Sequence, residues 1–338
     1  MDLHTLAGNA PLKRRLERET ALRGLSHAYI LTGPAGSGKH TLARVLAAAL
    51  VCSAPGDGPT FPCGRCSGCK KAAADIHPDI IQIGEEGKDI TVAQVRALRA
   101  GAYIRPNEAR RKVYLIPRAH TMNPSAQNAM LKLLEEGPPY AAFLLLAENA
   151  AALLPTVRSR CELLSLSPVA EPEGEAFLRA RYPDRPREEI RAALSGCEGN
   201  LGRAIHTLEG GQADTQIPGT AALLVRRLAG GDELALADLC ISLEKWDRDK
   251  FSALLEEAIL LLRDGLLTHA GVPCRDNPEG RECAALLAQS LPPAALMDAI
   301  SLLEELRTAC GFYVGTGHLA GWLCAQLHLL ASAAPMGG

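Results

Sequence analysis

A glycine-rich segment near the amino terminus has the composition and spacing of a phosphate-binding loop. Gly33, Gly36 and Gly38 precede Lys39, in the pattern G-x-x-x-x-G-K. Glycines let successive backbone N–H groups turn towards phosphate oxygens, and the lysine neutralises the terminal phosphates. The segment lies between a strand-like and a helical pattern, which is the setting that such a loop requires. The sequence therefore predicts a P-loop fold, with ATP or ADP as the nucleotide to consider.

Several residues depart from those that would bind magnesium at this loop. The residue after the lysine is normally Ser or Thr, whose hydroxyl ligates Mg²⁺, but here it is His40. Thr41 follows one residue late, which turns its hydroxyl by about 100° around the helix axis. An ATPase also needs acids after the third strand to hold Mg²⁺ and activate water, and here Pro117 and Arg118 stand there. These departures argue against Mg²⁺ and hydrolysis and leave nucleotide binding open.

Four cysteines lie close together in the sequence just after the helical segment that the loop opens. Cys52, Cys63, Cys66 and Cys69 have the spacing C-x₁₀-C-x₂-C-x₂-C. Four thiolates so spaced suit a closed, tetrahedral, structural zinc site, whereas iron–sulfur runs carry a different fourth spacing. The chain has 11 cysteines, an odd number, and no export signal, so a disulfide framework is not expected. We predict structural Zn²⁺ at these four residues; free structural thiols are the alternative.

Alternating strand and helix patterns supply the elements that position these residues. Five short apolar segments are predicted as strands: residues 28–32, 79–83, 113–116, 142–147 and 162–166. Three helical patterns lie between them: residues 39–51, 92–100 and 124–136. This alternation predicts an α/β domain with a parallel sheet and helices on both faces. Beyond about residue 220 only helical periodicity remains.

The composition bounds the possible classes of protein. Aromatic residues make up only 4% of the 338 residues, which favours helices and argues against an all-β sandwich. Basic side chains exceed acidic ones up to Ser165 and acidic ones exceed basic ones afterwards, so a polyanion would meet the first half; an unevenly charged, solvated surface is the alternative. Because no signal peptide or membrane-spanning segment is evident, we expect a soluble, cytoplasmic protein with no membrane contact.

Further motifs make the chain resemble the bacterial clamp-loader subunits of the AAA+ family. Residues 128–138 are similar to the family's N-A-L-L-K-x-L-E-E-P segment, and residues 156–161 match its T-x-R-S-R-C signature. His77, Pro78 and Asp79 precede the second strand as in this family, and the P-loop helix leads directly into the four-cysteine module. The resemblance covers about the first 208 residues well and the remainder only by its helical content and length.

The resemblance implies a domain organisation. Residues 1–166 would form the AAA+ P-loop domain, with the zinc module at 52–69. Residues 167–209 would form a small helical lid. Residues 210–338 would form an all-α collar domain through which clamp-loader subunits oligomerise.

The resemblance also implies a role among the family's motor and non-motor subunits. Motors carry an arginine on the lid helix, but Gly202 stands at that position and Arg203 is one residue off. The departures imply the non-motor, or stator, subunit of the DNA polymerase III clamp loader, which helps load the sliding clamp onto primed DNA. Its partners would be the gamma/tau motors and the delta subunit and, through the complex, the clamp and primer-template DNA. The alternative is an active gamma/tau-like ATPase with an atypical metal site.

Arg160, in the T-x-R-S-R-C match, is implied to be an arginine finger that acts in trans on a neighbour's ATP. A guanidinium fork can stabilise charge on a transferring phosphoryl group. Since its own domain lacks a working site, the Arg160 charge has no evident use in cis; an ordinary surface arginine, such as Arg158, is the alternative. The chain would belong to a nucleotidyltransferase holoenzyme, although alone it would be neither a polymerase nor an active ATPase.

Overall fold

A computed structural model of the chain describes residues 3–54, 62–84, 89–195, 197, 199–209, 216–272, 278–310 and 315–333. The chain divides into two compact units, Met1–Leu208 and Glu209–Gly338. The division lies next to the boundary that the sequence analysis places at 209–210. The regions that the sequence analysis separates at residue 166, the P-loop domain and the lid, lie together in the first unit.

In the part of the first unit that the structure describes, five parallel strands form a sheet in the order β2-β3-β4-β1-β5. They are β1 Ala28–Thr32, β2 Ile80–Gln82, β3 Lys112–Ile116, β4 Ala141–Ala147 and β5 Glu162–Ser165. Every residue of β1 and β4 is buried, as expected for central strands of a sheet covered on both faces. In the register, Ala28 lies opposite Phe143 and Tyr29 lies opposite Glu162. The predicted α/β class with a parallel sheet is confirmed.

Helices pack against both faces of this sheet, and three further helices form the lid. The helices of the first unit are α1 Ala10–Arg23, α2 Lys39–Leu50, α3 Ser67–Ala73, α4 Val92–Ala102, α5 Pro124–Glu136, α6 Pro155–Arg158, α7 Glu171–Arg181, α8 Arg187–Ser195 and α9 Leu201–Leu208. Side chains of β1 alternate between two cores: Leu31 packs with Leu46 of α2, and Ile30 packs with Met130 of α5. The lid helices α7 to α9 have a smaller core that includes Leu178.

Asp79 anchors a loop at the edge strand β2. Its fully buried carboxylate accepts hydrogen bonds from the backbone N–H groups of Asn107 (2.6 Å), Glu108 (2.8 Å) and Ala109 (2.8 Å). The Asp79 N–H donates to Nδ1 of His77 at 3.0 Å. Burial raises the pKa of the Asp79 carboxyl, but the three N–H donors outweigh burial and bring the pKa below its ordinary value. The His77–Pro78–Asp79 motif therefore has a structural use.

The second unit consists of helices in the residues that the structure describes. They are α10 Gln216–Gly230, α11 Glu233–Leu243, α12 Arg248–His269, α13 Pro278–Ser290, α14 Pro293–Cys310 and α15 Thr316–Ala333. Helix α12 packs against α10, α13 and α14, and its stripe of Leu254, Leu255, Ala258 and Ile259 is buried. Over the described ranges, no helix has the length and apolar composition needed to span a membrane.

Replacing Asp79 with Asn should lower the free energy of unfolding at pH 7 by about 2–3 kcal/mol, because a neutral amide accepts hydrogen bonds from the three N–H donors less strongly than a carboxylate does. The folded-state pKa lies below the unfolded value of about 3.9, so this contribution is fully present above that value and is lost as pH falls through the folded pKa. Urea unfolding of both proteins between pH 7 and pH 3 measures it. A difference in stability that stayed constant over this range would contradict the assignment.

Candidate functional site

The phosphate loop joins β1 to α2 at the carboxyl edge of the sheet. Gly38 is the residue before α2 and has a φ of 93°, a left-handed conformation that favours glycine. Because β4 lies between β1 and β3, the segments that follow these three strands meet at the same edge. The structure thus brings together the loop, Pro117 after β3 and Glu148 after β4.

Lys39 is directed onto the loop itself. Its Nζ donates hydrogen bonds to the carbonyl oxygens of Gly33 (2.5 Å) and Pro34 (2.7 Å), and the residue is 7% exposed. Burial lowers the pKa of the Lys39 amine, and the Glu148 carboxylate acts in the opposite direction. To bind a phosphate, Lys39 would have to exchange both carbonyl contacts for phosphate oxygens.

The lid contacts the phosphate loop directly. Asn200 Nδ2 donates to the Ala35 carbonyl at 2.6 Å, and the Gly202 N–H donates to the Gly36 carbonyl at 3.0 Å. A Cβ on Gly202 would overlap backbone atoms of Gly36, so only glycine permits this approach. The position at which the resemblance places a motor's arginine is thus closed to any side chain in this arrangement.

His40 and Pro117 line the same cavity, which has a volume of about 420 Å³. The fold therefore does bring together the two positions that would share Mg²⁺ in an ATPase, but they supply an imidazole and a pyrrolidine ring. Among the described residues that line the cavity, Asp75 is the one acid, and it is paired with Arg44. Arg118 follows Pro117 and has a left-handed backbone (φ 56°). The described lining of this cavity supplies neither a side-chain hydroxyl nor an unpaired carboxylate, the oxygen ligands that Mg²⁺ prefers.

The four cysteine sulfurs form a compact cluster that could hold a metal ion. All four Sγ atoms lie within 4.8 Å of one another, with 3.8 Å between Cys63 and Cys69 and 3.9 Å between Cys52 and Cys66. A tetrahedron with Zn–S bonds of about 2.3 Å has S–S edges of roughly 3.8 Å. The donor set and its dimensions therefore fit a closed zinc site.

Local structure positions these sulfurs. Cys66 caps helix α3, and its Sγ accepts the Cys69 N–H at 3.3 Å. A Cβ on Gly68 would lie 2.6 Å from the Val51 carbonyl oxygen, so glycine is needed for α3 to pack against the end of α2. Burial raises the pKa of the Cys66 thiol, but hydrogen bonds from Ser53 and the Cys69 N–H outweigh burial and lower the pKa to about 5. A thiolate is therefore favoured at Cys66, whereas burial raises the pKa of the Cys52 and Cys69 thiols, which would lose their protons when a metal binds.

Arg160 lies between α6 and β5 and is held within its own unit. Its Nε donates to Glu135 Oε1 at 2.6 Å, and its Nη1 donates to the Thr156 carbonyl at 2.7 Å and to Ser159 Oγ at 3.2 Å. The side chain is 32% exposed. The sequence analysis gave this charge no use in cis, and that expectation is wrong, because Glu135 pairs with it. Arg158 is exposed, as a surface arginine would be.

Sequence reasoning missed three residues of this region. Glu135 accepts a hydrogen bond from Arg160, and Asn200 donates one to the phosphate loop. The Glu148 carboxylate acts electrostatically on Lys39. Glu135 lies in the segment that resembles N-A-L-L-K-x-L-E-E-P, and Glu148 directly follows a central strand. These two positions could have been singled out from the sequence. Residues that follow central parallel strands gather at one edge of the sheet, which would have pointed to Glu148.

Comparison with known proteins shows what the first half of the chain is similar to. Residues 8–170 match the family model described as DNA polymerase III, delta subunit. The chain is 38% identical over 175 residues to DNA polymerase III subunit delta' of Pseudomonas aeruginosa, covering 51% of this chain and 53% of that protein. It is 35% identical over 184 residues to the Haemophilus influenzae delta' subunit, covering 54% of each chain. The resemblance to the delta' subunit of the clamp loader is thus confirmed in this part.

Names other than delta' also occur among the similar proteins. DNA polymerase III subunit gamma/tau of Mycobacterium bovis is 32% identical over 229 residues, which cover 63% of this chain and 38% of that protein. The chain spans about half the length of the delta' relatives and less of the gamma/tau relative. The residues that match the family model lie in the unit that contains the phosphate loop, the cysteine cluster and Arg160.

Freshly purified protein should contain one Zn²⁺ per chain, and Cys66→Ser should remove most of it. Because metal binding contributes folding free energy locally, loss of the ion should raise hydrogen exchange in α3 while β1 and β4 stay protected. Elemental analysis and hydrogen-exchange mass spectrometry measure both effects. Cys310→Ser, in a helix of the second unit, is the control and should keep its metal. Metal-free wild-type protein prepared without chelators would contradict the zinc assignment.

Proposed function

We propose that this chain is a non-motor subunit of the DNA polymerase III clamp loader that acts on a neighbouring ATPase and hydrolyses no ATP itself. The observation that carries the proposal is that His40 and Pro117 line one cavity, although they stand at the two positions where an ATPase would supply Mg²⁺ ligands and bring no side-chain oxygen there. The match of residues 8–170 to the DNA polymerase III delta-subunit family model and the similarity to delta' subunits support the assignment to the complex. The chain would help load the sliding clamp onto primer-template DNA as one part of that assembly.

The alternative is a gamma/tau-like motor, and the similarity to the Mycobacterium bovis gamma/tau subunit is the observation that favours it. A motor needs a metal to neutralise the β- and γ-phosphates and an acid to position water. His40 and Pro117 supply neither, Lys39 is bound to the loop carbonyls, and Gly202 packs where a motor carries its arginine. These features support a phosphate loop kept as a structural element.

The contribution to the neighbour would come from Arg160. An arginine supplied in trans stabilises the charge that develops on a transferring phosphoryl group, and its rigid fork of N–H donors matches phosphate oxygens. Arg160 lies in the segment that matches T-x-R-S-R-C, and a third of its side chain remains exposed. Its partner would be the ATP bound by an adjacent gamma/tau subunit.

We also propose domain roles for an AAA+ domain (1–166), a lid (167–209) and a collar (210–338). Helices α11 and α15 pack together, with His328 Nδ1 3.3 Å from Glu233 Oε1. Large apolar side chains remain exposed on both helices: Leu234 and Ile241 on α11, and Trp322 and Leu329 on α15. An exposed apolar face of this kind supports a subunit interface, through which motor and delta subunits would join.

The purified chain should show no ATP turnover above that of its Lys39→Ala variant, because His40 and Pro117 supply neither the hydroxyl nor the acid that would bind Mg²⁺ at those two positions. Phosphate release at saturating Mg·ATP, alone and with primed DNA, measures this. An authentic gamma/tau motor in the same assay is the positive control. Turnover at a motor's rate that Lys39→Ala abolishes would reject the non-motor assignment.

Arg160→Ala should leave the subunit folded and assembled but slow ATP hydrolysis at the adjacent motor. Arginine fingers contribute roughly 10³-fold or more to such reactions, so total turnover should fall by that site's share. DNA-stimulated ATPase and clamp loading by the reconstituted complex measure the effect, with Arg158→Ala as the matched control. Wild-type rates for both variants in fully assembled complexes would reject the finger role.

A further inference from the structure

The guanidinium of Arg160 is almost fully engaged by its own chain. Of its five N–H donors, Nε donates to Glu135 Oε1, and Nη2 also pairs with Glu135. Nη1 donates to both the Thr156 carbonyl and Ser159 Oγ. These contacts leave one N–H of Nη2 for a further acceptor. An arginine with many rotamers is thereby fixed in one orientation.

Glu135 is itself held by a well-anchored helix. It lies in the last turn of α5, the helix whose first turn contains Gln127. The buried Gln127 side chain donates to the carbonyls of Met122 (2.9 Å) and Ala152 (3.2 Å) and accepts the Leu154 N–H at 2.7 Å. Helix α5 therefore holds the chain just before α6 through Gln127 and just after α6 through Glu135. The Arg160 segment is fastened to α5 at both of its ends.

We propose that Glu135 is a positioning residue that pre-organises Arg160 for the neighbour's phosphoryl group. This inference rests on the proposed finger role of Arg160. A cation that is already oriented stabilises developing charge without first losing conformational freedom, and this is where pre-organised groups gain their catalytic effect. The Glu135 carboxylate holds Nε and one N–H of Nη2. The other Nη2 N–H is the donor that would contact the phosphoryl group of the neighbouring subunit.

A competing role for the same contact predicts the opposite sign. If Glu135 held Arg160 away from phosphate, its removal would free the guanidinium and speed the neighbour's hydrolysis. If Glu135 positions Arg160, its removal returns the side chain to many rotamers and slows hydrolysis. The two roles are separated by the direction of the change in kcat.

The test uses the reconstituted complex with Glu135→Ala, Glu135→Gln and Glu136→Ala in this subunit. Glu136 is the exposed neighbour on the same helix and is the matched control. We expect Glu135→Ala to lower the Arg160-dependent part of kcat by about 3- to 10-fold with an unchanged KM for ATP. Glu135→Gln keeps an oxygen acceptor and should recover most of the rate. Glu135→Ala should have no further effect in the Arg160→Ala background.

An unchanged or faster kcat for Glu135→Ala, where Arg160→Ala is slow, would overturn the positioning role. Further slowing of Arg160→Ala by Glu135→Ala would also overturn it, because Glu135 would then act through another group. If Arg160→Ala proves as fast as wild type, the finger role fails, and a second measurement in the isolated full chain decides the contact itself. Hydrogen exchange of the Arg160 Nε–H, followed by ¹⁵N NMR, should accelerate in Glu135→Ala but not in Glu136→Ala. Equal exchange in both variants would overturn the contact.

Discussion

The insertion of β4 between β1 and β3 is the constraint on which the rest of the first unit depends. All seven residues of β4 are buried, so hydrophobic burial on both faces holds the strand in the middle of the sheet. Parallel strands bring their carboxyl ends to one edge, where the phosphate loop, Pro117 and Glu148 therefore meet. The same packing would serve an ATPase or an inactive relative. The difference lies in a few side chains at that edge and not in the scaffold.

The lid and the phosphate loop are joined by two hydrogen bonds, one from the Asn200 side chain and one from the Gly202 N–H. Lys39, Asn200 and Gly202 satisfy the loop carbonyls, and two facing glycines allow the close approach. Groups that bind one another within the chain are already desolvated and paired, so a ligand gains only the difference between its contacts and theirs. In the proposed function, this arrangement suits a subunit whose shape does not depend on ATP.

Patterns within a few residues were predicted from the sequence, and contacts between distant segments were not. Mainly apolar strand segments, the G-x-x-x-x-G-K loop and the cysteine spacing are local signals, and the structure contains all of them. Helix α1 was missed because charged residues dominate it and Leu12 and Leu16 provide little apolar periodicity. The Arg160–Glu135 and Asn200–Ala35 contacts join residues far apart in sequence. Such pairs follow from tertiary packing, for which no short motif exists.

The distribution of charge gives the proposed division of labour its physical basis. A transferring phosphoryl group concentrates negative charge, and hydrolysis requires cations to be placed around it. In this chain, Lys39 is bound to carbonyls and lies near Glu148, while His40 and Pro117 bring no metal-binding oxygen to the loop. Arg160, by contrast, carries a guanidinium and keeps part of its surface exposed. Its pairing with Glu135 fixes the orientation of the guanidinium and leaves one N–H of Nη2 to donate elsewhere. A domain so arranged is poorly suited to neutralise its own nucleotide and well suited to present a cation to another.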